Sequence, residues 1–226
     1  MPGMVTNGTE NRSRAGGEAV VLIHGLWMNG LDQLVLARRL RARGYSCIRF
    51  RYRSVRRTPA ANAEALEAFV KSHRLTHAHF VAHSLGGIVL LHLFARWPDA
   101  PPGRSVLLST PLRGSGAARR MARTRWLRWT LGRSTERGLL GDGPAVPARR
   151  EVGMIAGTRG CGMGRIIGGV AQPSDGTVAA AETRAEGLTD WIQYPTSHFG
   201  LEFSAGAAGL IVRFLETGRF ADRKRE

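Results

Sequence analysis

Three residues of types that can cooperate in acyl transfer stand in three separate, glycine-containing stretches of this chain. The first is Ser84, in Val81-Ala82-His83-Ser84-Leu85-Gly86-Gly87, where an apolar run gives way to a helical pattern. A serine at so tight a strand-to-helix turn needs small neighbours two positions before and after it, and Ala82 and Gly86 supply them. The strain of such a turn pushes the hydroxyl clear of the backbone, where a carbonyl and a histidine can both reach it. The competing reading is a simple serine N-cap on a buried helix. The second residue is Asp175, in Pro173-Ser174-Asp175-Gly176-Thr177-Val178, a turn-forming stretch that also suits a plain Asp-Gly turn. The third is His198, in Ser197-His198-Phe199-Gly200, the only histidine after His92 and so the only late general base available to Ser84.

Acyl transfer also needs donors for the oxyanion. The apolar run 18–23 ends in His24-Gly25-Leu26-Trp27-Met28; a sharp turn there, permitted by Gly25, would aim the Leu26 N–H at the oxyanion. The Leu85 N–H, at the positive end of the helix that follows Ser84, is the second expected donor. His24 reads as a structural ring bonded to loop backbone. Leu26, Trp27 and Met28 favour an apolar group over a sugar or phosphate, and Trp27, Met28 and Phe199 are the expected pocket residues. His77 and His79 share one face of a strand but lack a nearby third ligand, so no metal site is expected. The glycine-rich run from Gly160 to Gly169 lacks the spacing of a dinucleotide or phosphate loop, and no cofactor is expected.

Elements must hold these residues. Apolar runs at 18–23, 45–52, 80–82, 104–111, 151–158 and 191–195 read as six strands. Between them, 31–43 carries Leu31, Leu34, Val35 and Leu40 at helical spacing. A helix from about 60 to 73 opens at Pro59 with Ala65, Leu66, Phe69 and Val70 inward, and 85–96 and 210–216 also read as helices. Alternation of strand and helix predicts an α/β fold, a mostly parallel sheet with helices on both faces. Ser84, Asp175 and His198 each fall just past a strand, where such sheets gather their functional groups. Segment 112–140 breaks the rhythm, with arginines among Met121, Trp126, Leu127, Trp129 and Leu131. It reads as a surface helix with its tryptophans in the core, as a cover over an acyl pocket, or as an interfacial helix.

The 226 residues suit one domain at 18–221, with frayed tails at 1–17 and 222–226 and a lid or cap at 112–140. The net charge of +16 is almost all arginine, Lys71 and Lys224 being the only lysines, and it is spread along the chain. No nucleic-acid motif accompanies it, so specific nucleic-acid binding is not expected, while weak peripheral contact with an anionic membrane is. Cys47 and Cys161 have no metal spacing and read as reduced thiols. Without an apolar leader or span, the chain reads as cytoplasmic.

The elbow Ala82-His83-Ser84-Leu85-Gly86-Gly87 resembles that of small bacterial lipases, and His24-Gly25-Leu26 is similar to the oxyanion loop of the α/β-hydrolase superfamily. That resemblance spans about Ala19 to Phe220 and implies a three-layer fold in its minimal form, with about six strands. Ala82 stands where the commoner pattern has glycine. The implied chemistry is cleavage of a small apolar ester or a lipid through an acyl-enzyme on Ser84, His198 and Asp175. An acyl thioesterase, an acyltransferase, or a silent module that binds lipid or polyanion are the alternatives, and a serine at the elbow argues against a dehalogenase. Oligomeric state is not legible.

Overall fold

A computed structural model describes residues 17–160 and 170–221; the expected tails at 1–17, apart from Gly17, and at 222–226, with Cys161 and most of the glycine-rich run, lie outside the described residues. Six strands are present: β1 (Ala19–Ile23), β2 (Ser46–Phe50), β3 (His79–His83), β4 (Ser105–Leu108), β5 (Val152–Gly157) and β6 (Asp190–Tyr194). They form one sheet in the order β2-β1-β3-β4-β5-β6, and each neighbouring pair is parallel.

Parallel strands bury both faces, and alternation along β1 shows how. Val20 and Leu22 point to one face, where Leu36 and Leu40 of α1 (Leu34–Arg41) and Ile211, Phe214 and Leu215 of a long C-terminal helix pack on them. Val21 and Ile23 point to the other, against Leu66 and Val70 of α2 (Pro59–Ser72) and Val89 and Leu93 of α3 (Leu85–Arg96). The result is three layers, helix on sheet on helix. Local chemistry sets the helix starts: Thr58 Oγ1 accepts the Ala61 N–H at 3.1 Å ahead of Pro59, and Ser115 Oγ accepts that of Ala118 at 3.1 Å.

Two helical expectations need correcting. α1 begins at Leu34, and Leu31, Leu34 and Val35 are exposed; Leu36, Ala37 and Leu40 form the buried stripe instead. The C-terminal helix starts five residues before the expected Leu210, after a short helix α6 (Gly200–Phe203), and runs over Ala205–Thr217 as α7. Its first turns, Ala205-Gly206-Ala207-Ala208-Gly209, have small side chains and weak glycine propensity, so the pattern is faint. The Ser204 cap on the Ala207 N–H and contact of Ala207 and Ala208 with the core hold it.

Segment 112–140 folds into α4 (Gly116–Arg123), α5 (Arg125–Leu131) and a 3₁₀ turn (Gly132–Thr135). Ala118, Met121, Leu131 and Leu139 pack on Leu85 and Ile88 of α3. Trp126 and Trp129 are 72% and 75% exposed, so the reading that places these tryptophans in the core is wrong: Met121 and Leu131 take the inward positions. No described helix is long and apolar enough to cross a membrane.

Candidate active site

Ser84 links β3 to α3 with φ 52° and ψ −120°, a backbone conformation that L residues rarely adopt and that costs of order 1–3 kcal/mol. The neighbours show why the turn can close. A Cβ on Gly86 would lie 2.6 Å from the carbonyl oxygens of both Ile23 and His24, so α3 approaches the end of β1 more closely than any side chain permits. The Ser84 N–H is held by Leu108 O at 2.8 Å on β4. Leu85 is the first residue of α3, where an N–H has no partner four residues back within the helix.

His198, in the loop after β6, faces Asp175, in the long connection after β5, with Nδ1 2.6 Å from Asp175 Oδ2. The carboxylate is fixed from its other side. Oδ1 accepts the backbone N–H groups of Thr177 at 2.9 Å and Val178 at 2.8 Å, and the His198 N–H returns to Asp175 O at 3.0 Å. Asp175 is fully buried. Burial alone would raise its pKa, but the charge and hydrogen bond of His198, the Ser109 hydroxyl and the Val178 N–H outweigh it and hold the carboxyl below its ordinary value. Gly157, at the end of β5, gives the loops room to meet: a Cβ there would stand 2.7 Å from Asp175 Cβ and 2.8 Å from Thr196 O.

Ser84 and His198 border one cavity of about 140 Å³. The expected residues Leu26, Trp27, Met28 and Phe199 also line it, and Ala118, Met121, Leu131 and Leu139 close it from the 112–140 segment. The 112–140 segment thus forms one wall of the cavity. With Nδ1 bonded to Asp175, Nε2 is the His198 nitrogen left for Ser84, although the two are not hydrogen-bonded to each other in this resting arrangement. Catalytic hydrogen bonds commonly tighten only when substrate is bound.

The loop after β1 is built on His24. Its Nδ1–H donates to Gly25 O at 2.8 Å, its Nε2 accepts the Tyr52 N–H at 3.3 Å, and the Tyr52 ring stacks on it at 4.2 Å while Tyr52 Oη donates to His24 O at 2.7 Å. Both ring nitrogens are therefore occupied by backbone, and burial lowers the ring's pKa. Beyond it Trp27 adopts φ 60°, its N–H bound to Ser54 Oγ at 3.1 Å, while the Leu26 N–H has no protein acceptor among the described residues.

Several residues of this rim escape sequence reasoning. Ser109 follows β4 with φ 43°, and its Oγ accepts the Gly157 N–H at 3.1 Å while its hydroxyl serves Asp175. His83, fully buried beneath Ser84, donates Nε2–H to His198 O at 3.1 Å, and burial drives its pKa well below the usual histidine value. Its bare Nδ1 lies 3.7 Å from Glu202 Oε2. Burial, then the nearby Asp32, push the Glu202 carboxyl well above its usual range, so burial disfavours the charged form of both the acid and the ring. The one available signal was that His83 adjoins the serine; the expected strand 104–111 runs past Ser109, where the observed β4 ends at Leu108.

The His77–His79 pair does gain a third neighbour, since ligand atoms of Glu18, His77 and His79 lie within 4.8 Å of one another at the far end of β3 from Ser84. The hydrogen bonds oppose metal binding. His79 Nδ1 accepts the Arg104 N–H at 2.9 Å, which puts the ring proton on Nε2, and Nε2 donates to Glu18 Oε2 at 3.2 Å. Cys47 is a free, buried thiol whose pKa burial pushes up to about 11.

Comparisons with known proteins bear on the fold. The structure is similar to a lipase from Bacillus licheniformis in mature form, at 16% identity and TM-score 0.64 over 90% of this chain and 93% of that one. It is similar to the RedJ thioesterase of the prodiginine biosynthetic pathway in Streptomyces coelicolor, at 14% identity and TM-score 0.63 over 89% and 91%. A metagenomic carboxyl esterase matches at 21% identity and TM-score 0.59 over 81% and 65%. At such identities these likenesses speak for the fold alone. A search of curated proteins found no match. The sequence model of the alpha/beta hydrolase family, however, matches residues 20–218, the whole span of the sheet and its helices, and so the chain belongs to the alpha/beta hydrolase family.

Proposed function

We propose that the protein hydrolyses a carboxylic ester with a small apolar acyl group through an acyl-enzyme on Ser84. The observation that carries this reading is the His198–Asp175 pair, at 2.6 Å, on the wall of the cavity that Ser84 also borders. His198 Nε2 takes the Ser84 proton as Oγ attacks the carbonyl, and Asp175 holds the imidazole tautomer and stabilises the cation that forms. The N–H groups of Leu26 and Leu85 receive the oxyanion. His198 then protonates the leaving alcohol, and a water attacks the acyl-enzyme to release the acid.

The cavity supports the substrate class. Leu26, Trp27, Met28, Met121 and Leu131 give it apolar walls, and about 140 Å³ approaches the volume of engineered cavities that hold one benzene. A short acyl group fits that space, and a thioester presents the same acyl group, so thioesterase and acyltransferase chemistry on the same residues stand as the second reading. A panel of p-nitrophenyl esters from acetate to palmitate, with the matching acyl thioesters, tests both. Activity should peak at the short end, and Ser84→Ala should lower kcat by about 10⁴ to 10⁶. A loss under tenfold, or no fluorophosphonate labelling of Ser84, overturns the assignment and leaves a silent module.

A further inference from the structure

Segment 112–140 carries more charge and more exposed aromatic surface than covering a cavity requires. It holds eight arginines (113, 119, 120, 123, 125, 128, 133 and 137) against one acid, Glu136. Glu136 pairs with Arg133, and Glu182, from outside the segment, lies 3.5 Å from Arg119. Arg120, Arg123, Arg125 and Arg128 are exposed and make no ion pair among the described residues. Trp126 and Trp129, three apart on α5 and thus on one side of the helix, are 72% and 75% exposed. Two indoles left in water beside four unneutralised guanidinium groups are costly for a surface that meets only solvent.

We propose that α4 and α5 dock this protein on an anionic lipid surface. Arginine supplies attraction to acidic headgroups, and tryptophan favours the boundary between headgroup and hydrocarbon, where its ring is buried and its N–H still finds a partner. The surface is continuous with the cavity. Trp27, which lines the cavity and is 47% exposed, donates Nε1–H to Thr130 O at 2.8 Å, tying the loop after β1 to the end of α5. Phe199, also on the cavity wall, is 49% exposed. The docked face therefore includes the cavity mouth. A nucleic acid would answer the arginines equally well, but it would give the paired indoles no hydrocarbon to enter, and that favours the bilayer.

Docking is independent of the chemistry proposed above, so it is tested with Ser84→Ala protein, which leaves any failure of hydrolysis out of the result. Vesicles of phosphatidylcholine alone and of phosphatidylcholine with one third phosphatidylglycerol are compared by co-sedimentation and by tryptophan emission. Binding to the anionic vesicles with a blue-shifted emission is expected, with little binding to the neutral ones. Arg125→Gln with Arg128→Gln should weaken partition about 25-fold, roughly fivefold per arginine near the surface. Trp126→Ala with Trp129→Ala should weaken it about tenfold or more and reduce the blue shift to what Trp27 alone can give. Arg38→Gln with Arg43→Gln, exposed and outside the segment, should change it less than twofold. All four positions on α5 are exposed, and unchanged thermal unfolding confirms that the fold is kept. No binding to anionic vesicles overturns the proposal. So does binding that ignores the tryptophan pair and vanishes at about 0.5 M salt, equally with vesicles and with duplex DNA, because that is general attraction to polyanions.

Discussion

Replacing Asp175 by asparagine tests the proposed mechanism at its narrowest point, because the surrounding hydrogen bonds dictate how the new side chain must sit. Oδ1 of Asp175 accepts two backbone N–H groups, from Thr177 at 2.9 Å and Val178 at 2.8 Å. Only an oxygen can stay there. The amide nitrogen of the introduced asparagine must then replace Oδ2, 2.6 Å from His198 Nδ1. Turning the amide over would leave two buried N–H groups facing an NH₂, at about 1–3 kcal/mol for each unsatisfied donor. An NH₂ that donates to Nδ1 forces the ring proton onto Nε2, and an Nε2–H cannot accept the Ser84 proton. Loss of the correct tautomer is worth about 10⁴ in kcat, or roughly 5.5 kcal/mol of barrier. The assay is kcat for p-nitrophenyl butyrate from pH 6 to 9, read beside fluorophosphonate labelling and thermal unfolding. Labelling should slow in parallel with turnover while the protein stays folded. A folded Asp175→Asn enzyme within tenfold of the parent would refute the reasoning, since His198 would then not need Asp175 to set its tautomer.

Other consequences follow from strain, close approach and buried charge. Ser84→Gly removes a side chain held at φ 52°, so it should abolish turnover yet raise stability by about 1–3 kcal/mol in denaturant unfolding; a lower midpoint than the parent would mean the turn is unstrained. Gly86→Ala drives a methyl to 2.6 Å from two backbone oxygens, and a loss of about 3 kcal/mol or failure to fold is expected, whereas a loss under 1 kcal/mol would contradict the tight turn. Glu202 is held protonated in the fold well above its ordinary value of 4.5, while the unfolded chain ionises it near that value. The folded state therefore binds the extra proton, and stability from this group falls as pH rises above about 4.5, by up to about 1.4 kcal/mol per unit, until the folded carboxyl ionises. Glu202→Gln should accordingly gain on the parent as pH rises above about 5; stability curves that stay parallel would show that the Glu202 pKa is not raised in the fold.

How much of this was legible in the sequence depends on whether a residue's role is local. The inner strands β1, β3, β4 and β5 are largely apolar because they are buried on both faces, while the edge strands β2 and β6 are only partly buried and mix polar with apolar residues. Helix α3 was readable because strand, small residues and helix meet in one heptapeptide. Ser84 and His198 could be picked out because each lies within a few residues of a strand end. Asp175, expected just past a strand, lies in the long connection after β5 and stood out only by its turn-forming stretch. The face of α1 was not readable: Leu31, Leu34 and Val35 form as good a stripe as Leu36, Ala37 and Leu40, and only the position of α7 decides which is buried. Ser109, His83 and Glu202 were invisible for a related reason. Each acts through a partner between 48 and 119 residues away, Gly157 for Ser109, His198 and Glu202 for His83, and no local pattern marks such a pairing.

The buried pair His83 and Glu202 also bears on how the His198 loop is held. A carbonyl oxygen fully withdrawn from water needs a donor, and His198 O finds it in His83 Nε2–H. That bond exists only while the ring keeps its proton on Nε2, and Nδ1 must then remain bare. A charged Glu202 at 3.7 Å would draw a proton onto Nδ1 and place a cation beneath Ser84, next to the ring that is to become cationic in turnover. Burial, with Asp32 nearby, favours the neutral form of the Glu202 carboxyl, so the carboxylate that directly contacts His198 as charge develops there is Asp175. Strain at Ser84 and a desolvated acid beneath it both cost stability, and the close packing of Gly86 and Gly157 on backbone is what holds the chain in that arrangement.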